Sequence, residues 1–446
     1  MERNLTTGSV AKNIIFFSLP YLLSYFLQTL YGMADLFITG RFGGVEDITA
    51  VSIGSQVMHM LTVMIVGLAM GTTVTVGRSV GARRRDEAAA SVGNTVVLFS
   101  AVSVVLTAVL LFCVDKIVVV MSTPVEAVAG TKAYLTICFA GIPFITAYNV
   151  ISSIFRGMGD SKSPMYFIAA ACAANILLDC LFIGAMDMGA SGAALGTTLS
   201  QAVSVVISLV FITKKDTGIH LCKSDFKPAA GVMGQIMRIG LPIALQDGFI
   251  QIAFIVITVI ANKRGLSDAA AVGIVEKVIG IFFLVPSTML SSVSALASQN
   301  IGAKKPERAR STLLYGICLA VGFGAVVSVI TQFFPQQIVG LFEDDARVML
   351  LGEQYLRSYV WDCVFAGATF CFSGYFCAVG RSEISFLHNL VSIVLVRIPT
   401  AYIMSAKFPE TLFPMGFASP LGSLFSAVIC VAAYLIIRKK QISEVR

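Results

Sequence analysis

Charged residues are scarce in this chain of 446 residues, and the shortage limits the class of protein it can be. Asp, Glu, Lys and Arg together make up 13% of the sequence, whereas soluble proteins contain about 25%. Hydrophobic residues make up 57% of the chain, and its mean hydropathy is +0.85. The composition excludes a soluble globular protein and predicts a polytopic membrane protein.

Histidine and paired cysteine are also scarce, which excludes several kinds of chemistry. The three histidines are His59, His220 and His388, and the ten cysteines form no Cys-x-x-Cys pair, so no zinc cluster is expected. The stretch "RGMGDSKSP" at 156–164 lacks the G-x-x-x-x-G-K-[ST] pattern of a nucleotide phosphate loop. We therefore expect a protein that is not an enzyme, needs no cofactor, and transports down a gradient or by coupling to one.

Long apolar runs are abundant. About 20 apolar residues are needed to cross the hydrocarbon core of a bilayer, and the sequence supplies twelve such runs. We predict an all-α protein with twelve transmembrane helices. The approximate spans are 14–38, 48–76, 92–114, 133–155, 164–186, 190–213, 235–261, 270–298, 312–334, 350–376, 384–406 and 415–437.

The positive charges are distributed unevenly between the predicted loops. Most of the 32 Lys and Arg residues lie before the first span or after an even-numbered one. We expect the chain in the inner (cytoplasmic) membrane of the cell. By the positive-inside rule, both of its termini are expected on the cytoplasmic side. The basic runs are thus explained as topology signals, and no nucleic-acid partner is expected.

The sequence repeats itself at about half its length. "SVGARRRDEA" at 79–88 matches "NIGAKKPERA" at 300–309, "KAYL" at 132–135 matches "EQYL" at 353–356, and "SLPYLL" at 18–23 matches "GLPIAL" at 240–245. We predict a six-helix lobe over 1–213, a cytoplasmic linker over 214–234, and a second six-helix lobe over 235–446. Because six helices separate the copies, both lobes enter the membrane in the same direction, related by a pseudo-twofold axis along the membrane normal.

Polar residues form stripes on the apolar helices of the first half. Asp35 and Asp179 are acids in the middle of spans, and Asn175 shares a helix face with Asp179. A charge in the bilayer costs on the order of 3 kcal/mol, so such residues commonly mark an ion or substrate path. The other polar positions that we place toward a common interior are Gln28, Tyr31, Asn149, Thr197, Gln201 and Ser204.

Two carboxylates cannot both ionise cheaply in a low-dielectric site, so the pair is suited to bind a proton or a hard cation. Asp35, Asn175, Asp179 and Thr197 together offer carboxylate, amide and hydroxyl oxygens suited to Na⁺. The residues do not decide between H⁺ and Na⁺, because the same oxygens serve both. The alternative explanation is that each acid forms a structural hydrogen bond to a neighbouring helix.

The second half does not copy this pair of acids. At the interval of the repeat, Asp35 falls on Val256 or Ile257, and Asp179 falls on Thr400. Either structural ion pairs or substrate contacts would explain the charges of this half, and a Glu276–Arg397 or Lys277–Asp362 pair is one arrangement. The charges concerned are Asp247, Glu276, Lys277, Asp362 and Arg397.

The chain resembles the multidrug and toxic compound extrusion (MATE) family of bacteria from about residue 10 to residue 437. The resemblance is carried by "LPYLLSYFLQTLYGMADLFITGRFGG", "VGARRRDEA", "FRGMGDSKSP", "NILLDCLFI" and "GAALGTTLSQ" in the first half. In the second half it is carried by "LPIALQ…IANKRG", "SQNIGAKKPERAR" and "VRIPTAYI". The order and spacing of these segments make the resemblance specific.

The resemblance implies two bundles of six helices in a V with a central cavity of alternating access. It implies antiport of organic, often cationic, compounds against H⁺ or Na⁺. It also implies an ion site at Asp35, Asn175, Asp179 and Thr197, and cavity roles for Tyr31 and Asn149. NorM-like members carry an acid in span 7 where this chain has Ile250 and Gln251, so the resemblance is to DinF-like members.

We therefore predict a secondary antiporter that exports amphipathic, cationic small organic compounds. Gln28 and Gln201 are expected to line the substrate cavity with Tyr31 and Asn149. A single chain contains both halves, so a monomer in the lipid bilayer is expected. The alternative is a flippase for a lipid-linked precursor, whose anionic substrate would require more cations within the spans than Lys277 and Arg397.

Overall fold

The computed structural model describes residues 4–214 and 218–445, with side chains described as far as residue 439. Within these ranges the chain forms α-helices, short 3₁₀ and π segments and turns, and no β-strand. Eleven helices there are long and apolar enough to cross a membrane, or twelve if one bent pair counts as a single span. The predicted all-α membrane fold with twelve spans is thus confirmed.

The described chain forms two compact units. The first consists of Ile15–Gly240 together with residues 4–7 and Gly302–Lys304. Helix α8, Ala230–Asn262, begins in this unit and continues into the second. The helices of the first unit are α1 Val10–Phe42, α2 Val45–Gly81, α3 Arg85–Val120, α4 Val128–Ala140, α5 Ile142–Gly157, α6 Lys162–Asp179 and α7 Gly189–Lys214, with a 3₁₀ turn at Val125–Ala127.

The second unit consists of Leu241–Ile301 and residues 305–445, together with Gly8–Ile14, which includes the first residues of α1. Two of its helices, α12 and α17, are short and connect longer ones. Its helices after α8 are α9 Leu266–Phe282, α10 Leu284–Gly302, α11 Pro306–Phe333, α12 Pro335–Val339, α13 Ala346–Tyr359, α14 Asp362–Ala378, α15 Ser382–Ser392, α16 Ile398–Lys407, α17 Phe413–Gly416 and α18 Ala418–Val445.

Several of the predicted spans are not single α-helices, and two of them break at corresponding points of the repeat. The span predicted at 133–155 consists of α4 and α5, which meet at Gly141 with a bend of 47°. Pro143 at the start of α5 lacks the amide donor that a continuous helix would need. The span predicted at 350–376 likewise breaks between Tyr359 and Asp362. The two breaks lie at equivalent points of the repeat.

The repeated sequence motifs have the same structural role in both units. Tyr134 and Leu135 of "KAYL" lie in the core of the first unit, and Tyr355 and Leu356 of "EQYL" lie in the core of the second. The motifs "GARR" and "GAKK" are turns between helices, in which Arg83 and Lys304 both have a left-handed backbone, with φ of 59° and 57°. The repeat therefore preserves packing and turns.

A π-helical segment interrupts one span in each unit. Cys180–Ala185 follows Asp179 directly, and Ile393–Arg397 ends at Arg397. Single π turns inside α-helices are rare and occur frequently at functional sites. In this protein each one adjoins a buried charged residue.

The described part of the predicted linker packs on the first unit. A 3₁₀ turn at Lys223–Phe226 lies against α3. The Asn94 amide donates to the carbonyl of Asp225 at 3.2 Å and accepts from the amide of Ala229 at 2.7 Å. Residues 215–217 lie outside the described ranges, and the lobe boundaries at 213 and 235 stay a prediction.

Candidate functional site

Three helices of the first unit bring the predicted ion-site residues together. Asp35 lies on α1, Asn175 and Asp179 lie on the last turns of α6, and Thr197 lies on α7. All four side chains are withdrawn from solvent: Asn175 and Asp179 are 0% exposed, Asp35 is 2% exposed and Thr197 is 7% exposed. The sequence separations are large, so this cluster exists only in the folded unit.

Hydrogen bonds connect α1 to α7 at the cluster. The Thr197 hydroxyl donates to Oδ2 of Asp35 at 3.1 Å, and the Tyr31 hydroxyl donates to the carbonyl oxygen of Thr197 at 3.3 Å. Asp179 and Asn175 lie within interaction range of the Asp35 carboxylate. Tyr31, which we predicted to line a substrate cavity, is thus in direct contact with the proposed ion site.

Several polar atoms of the cluster have no hydrogen-bond partner among the described residues. They are Oδ1 of Asp35, both carboxylate oxygens of Asp179, and both polar side-chain atoms of Asn175. Leaving such atoms unpaired costs about 1–3 kcal/mol each and more when they are charged. Three carboxylate oxygens and one amide oxygen are hard donors that suit a proton or a cation such as Na⁺. The described residues contain no group of three or more His, Cys, Asp or Glu side chains able to hold a metal ion.

Gly196 sets the position of the Asp179 carboxylate. A Cβ atom at Gly196 would lie 2.0 Å from Oδ1 of Asp179 and 3.5 Å from its backbone nitrogen. Only glycine therefore allows α7 to pack this closely against the end of α6. The π-helical segment that begins at Cys180 starts at the same point.

We predict that Gly196→Ala lowers export by at least about tenfold, the effect of roughly 1.4 kcal/mol of weakened ion binding. The added methyl group displaces the Asp179 carboxylate while every polar group of the site is retained. Export of a fluorescent cation from vesicles measures the effect. The matched control is Gly32→Ala on α1, where the new Cβ has nothing within 4 Å. Equal export by the two variants would contradict this role of Gly196.

The other predicted cavity residues, all in the first unit, have different environments. Asn149 is buried, and its amide donates to the carbonyl of Ile145 one turn earlier, at 2.8 Å. Gln201 lies one turn after Thr197 and has a buried Oε1 without a partner among the described residues. Gln28 interacts with the Tyr148 side chain. Their roles in substrate binding stay a prediction.

The charged residues of the second unit form neither of the two ion pairs suggested in the sequence analysis. Arg397 donates through Nη2 to Oδ2 of Asp362 at 3.1 Å, and both side chains are buried. Glu276 accepts a hydrogen bond from Thr258 at 3.2 Å, and Lys277 is exposed. The sequence allowed a Glu276–Arg397 or a Lys277–Asp362 pair without deciding between them, whereas the ion pair in the structure is Arg397–Asp362. Arg397 lies at the end of a π turn and reaches Asp362 on α14.

Sequence reasoning missed two residues of the second unit that make many contacts. Arg264 binds Asp268 at 2.7 Å and also donates to main-chain oxygens at the end of α16. His388 lies between Ser426 and Ser373, at 2.6 Å and 3.1 Å from their hydroxyls. The spacing of four between Arg264 and Asp268 was a readable signal, whereas the environment of His388 had none.

Comparison with known proteins relates both halves of the chain to one protein family. The MatE family model matches residues 20–181 and again 242–403, which repeats the interval seen within the sequence. The chain is 28% identical over 435 residues to "Probable multidrug resistance protein YpnP" of Bacillus subtilis (strain 168), covering 98% of this chain and 96% of that protein. It is 23% identical over 437 residues to "Multidrug export protein MepA" of Staphylococcus saprophyticus, covering 96% and 94%.

Solved structures agree at the level of the fold. The structure described as the outward-facing conformation of a multidrug resistance MATE family transporter superimposes with a TM-score of 0.91 at 24% identity, covering 99% of this chain and 98% of the other. The family model covers most of the chain, in both of its halves. The resemblance to the family is therefore confirmed, while its DinF-like character stays a prediction, and this protein belongs to the MATE family of membrane transporters.

Proposed function

We propose that the protein is a secondary antiporter that exports amphipathic, cationic organic compounds in exchange for H⁺ or Na⁺. The observation that carries the proposal is the buried pair of Asp35 and Asp179, with three carboxylate oxygens that have no partner among the described residues. Relatives that carry the names of multidrug resistance and multidrug export proteins support the export of several compounds.

The coupling follows from the charge of the pair. With no ion bound, the two adjacent carboxylates repel each other in a low-dielectric site. This repulsion favours a conformation in which the carboxylates lie further apart, or in which a cationic substrate lies close to them. Binding of one proton or Na⁺ removes the repulsion and favours the compact arrangement held by Thr197 and Tyr31. Because ion and substrate stabilise different states, each lowers the affinity for the other.

The substrate is proposed to contact Tyr31, Gln28, Asn149 and Gln201. Tyr31 is the residue that would transmit the state of the ion site, since its hydroxyl bonds the backbone of Thr197. We place the protein in the cell membrane with both termini in the cytoplasm, because of the charge bias of its loops. We propose a monomer, because one chain contains both halves. A flippase of anionic lipids is disfavoured because the buried Arg397 is already paired with Asp362.

The first test is transport of ethidium, a fluorescent cation, into proteoliposomes that contain the purified protein. A pH gradient and a Na⁺ gradient are imposed separately, each with the membrane potential clamped. We expect one gradient to drive accumulation against the ethidium gradient, and that result names the coupling ion. Accumulation that requires neither gradient, or that is the same in protein-free vesicles, would overturn the antiport proposal.

A further inference from the structure

Helices α1 and α7 of the first unit are joined at two levels. The first is the ion site, where the Thr197 hydroxyl donates to Asp35. From Asp35, α1 continues for two turns to its end at Phe42, and α7 takes two turns to reach Thr197 from Ala190. The end of α1 and the start of α7 therefore lie at a similar distance from the site, and a second connection joins them there.

Asp47 makes this second connection. It lies in the first turn of α2, which follows α1 after a short turn. Its Oδ1 accepts from the backbone amide of Ala190 at 2.9 Å, and its Oδ2 accepts from the amide of Gly44 at 3.4 Å. The first amides of a helix have no partner within the helix, and Met188, which precedes α7, has no side-chain oxygen to cap them. One carboxylate thus caps the N-terminal ends of both α2 and α7, where a negative charge is favourable.

Gly189, the first residue of α7, leaves room for this carboxylate. Its φ of 52° is a left-handed backbone, and a Cβ atom there would lie 2.4 Å from Oδ1 of Asp47. We call the contact of Asp47 with Gly44, Gly189 and Ala190 the Asp47 clasp. Ala190 and Thr197 are seven residues apart and lie on the same face of α7. A displacement of α7 at the clasp is therefore carried directly to Thr197.

The internal repeat places an acid at the same position of the second unit. At the interval of the repeat, Asp47 corresponds to Asp268, and Ala190 corresponds to Thr411. Asp268 binds Arg264 at 2.7 Å, and Arg264 donates to the carbonyl of Thr411 at 3.2 Å. The same two positions are thus connected in both units, directly in the first and through an arginine in the second. Because the acids of the candidate ion site belong to the first unit, the connection there is the one that can affect ion binding.

We propose that Asp47 is a positioning residue of the ion site, which holds α7 so that Thr197 stays bonded to Asp35. Gly196 of α7 packs on the Asp179 carboxylate with no room for a Cβ atom, so a small displacement of α7 changes the site. In the antiport proposed above, the ion favours this compact arrangement, and a looser α7 lowers the affinity for the ion. The effect on ion binding rests on that proposed function, whereas the hold on Thr197 does not.

Amide hydrogen exchange of the purified full-length protein tests the hold on Thr197 without any transport. Asp47→Ala removes the acceptor, and we expect amides in the segment 189–197 to exchange about fivefold faster, the usual effect of losing an N-cap. Asp47→Asn keeps an oxygen acceptor and should restore slow exchange. The control is Glu46→Ala, which removes an exposed acid from the same turn. Equal exchange in Asp47→Ala and Glu46→Ala would overturn the proposal.

The effect on the ion is read from ethidium transport, as the concentration of coupling ion that gives half of the maximal rate. We expect Asp47→Ala to raise this concentration about fivefold at a similar maximal rate, because the clasp stabilises the ion-bound arrangement without touching the ion. Gly189→Ala breaks the clasp from the side of α7 and should do the same, also where Asp47→Ala does not fold. Folded Asp268→Asn weakens the equivalent connection of the second unit and should leave the concentration unchanged. A wild-type concentration in a folded clasp variant would refute the effect.

A double variant shows whether the clasp acts through Thr197. Thr197→Val keeps the shape of the side chain and removes the hydroxyl that bonds Asp35. In that background Asp47→Ala should raise the half-maximal concentration less than about twofold, because the bond that the clasp holds is already absent. A further fivefold rise would refute this route. The titratable groups that interact with Asp35 all lie outside the clasp, and they are Tyr31, Tyr134, Cys138, Cys172 and Asp179.

The positioning role and the antiport proposal fail separately. If neither gradient drives transport by the wild-type protein but exchange is faster in Asp47→Ala, the antiport proposal is contradicted and the hold on Thr197 stands. If a gradient drives transport by the wild-type protein but folded Asp47→Ala exchanges like the wild type, the positioning role is contradicted and the antiport proposal stands.

Discussion

Asp179→Asn is expected to abolish ion-driven export while the protein still folds and inserts into the membrane. The substitution preserves the shape of the side chain and removes its charge at a fully buried position beside Asp35. An amide neither binds the exchanged proton nor supplies the charge that holds a cation. The rate of ethidium export under the gradient that drives the wild-type protein should fall to that of protein-free vesicles.

Asp35→Asn should have the same effect, and the double variant should be no worse than either single one. Residues that act as one unit have non-additive effects, because either substitution already destroys the unit. The matched control is Asp187→Asn in the loop after the π turn. Asp187 is exposed and has φ of 52°, a left-handed backbone that asparagine tolerates. Retained export in Asp179→Asn, or lost export in Asp187→Asn, would refute the site.

Arg264→Ala is expected to destabilise the second unit by about 3–5 kcal/mol, the cost of breaking a buried ion pair. The guanidinium lies in the turn after α8, where Nε binds Asp268 at 2.7 Å, and the two side chains are 8% and 10% exposed. Its Nη1 and Nη2 atoms donate to main-chain oxygens at the C-terminal end of α16 and beyond. The acceptors are the carbonyls of Ser405 at 2.8 Å, Phe408 at 3.2 Å, Pro409 at 2.9 Å and Thr411 at 3.2 Å.

The size of the effect follows from what the substitution leaves behind. The last carbonyls of a helix have no partner within the helix, and a cation there also interacts favourably with the helix dipole. Without Arg264 the carbonyls of Ser405, Pro409 and Thr411 lose the hydrogen bonds that it donates, and Asp268 becomes a buried unpaired charge. The midpoint of thermal unfolding, measured by fluorescence-detected size exclusion, should fall by roughly 10 °C.

Two further variants show whether geometry or charge is responsible. Arg264→Lys should be intermediate, because an ammonium group keeps the charge beside Asp268 but does not reproduce the planar fork of five donors. Arg347→Ala removes an exposed arginine from the first turn of α13, at a helix end that we place on the same side of the membrane, and should leave the midpoint unchanged. If Arg264→Ala unfolds at the same temperature as Arg347→Ala, the network contributes nothing to stability.

The repeat shows which part of the molecule was readable from the sequence. Its matching segments are core residues such as Tyr134 and Tyr355, and turns such as those at Arg83 and Lys304. The candidate ion site is the part that does not repeat, since Asp179 corresponds to Thr400. Packing and turn geometry are shared by two units of one fold, whereas a site depends on a few side chains that differ between them.

The amino-acid sequence by itself determined the class of protein, the number of spans, the internal repeat and the identity of the polar residues that meet in the first unit. Hydropathy and the spacing of side chains along a helix are local properties, so they can be read without knowing what packs against what. The acid in "NILLDCLFI" could be identified as unusual because its cost in a bilayer is also local.

Only the tertiary structure decided which partners these residues have. Thr197 donates a hydrogen bond to Asp35, and Arg397 forms its ion pair with Asp362 and not with Glu276. Arg264 donates to a carbonyl at the end of α16. The breaks in two predicted spans and the π turns beside Asp179 and at Arg397 also depend on neighbouring helices. Hydrogen bonds and ion pairs act over a few ångströms between residues distant in sequence, so their pattern is defined only once the helices have packed.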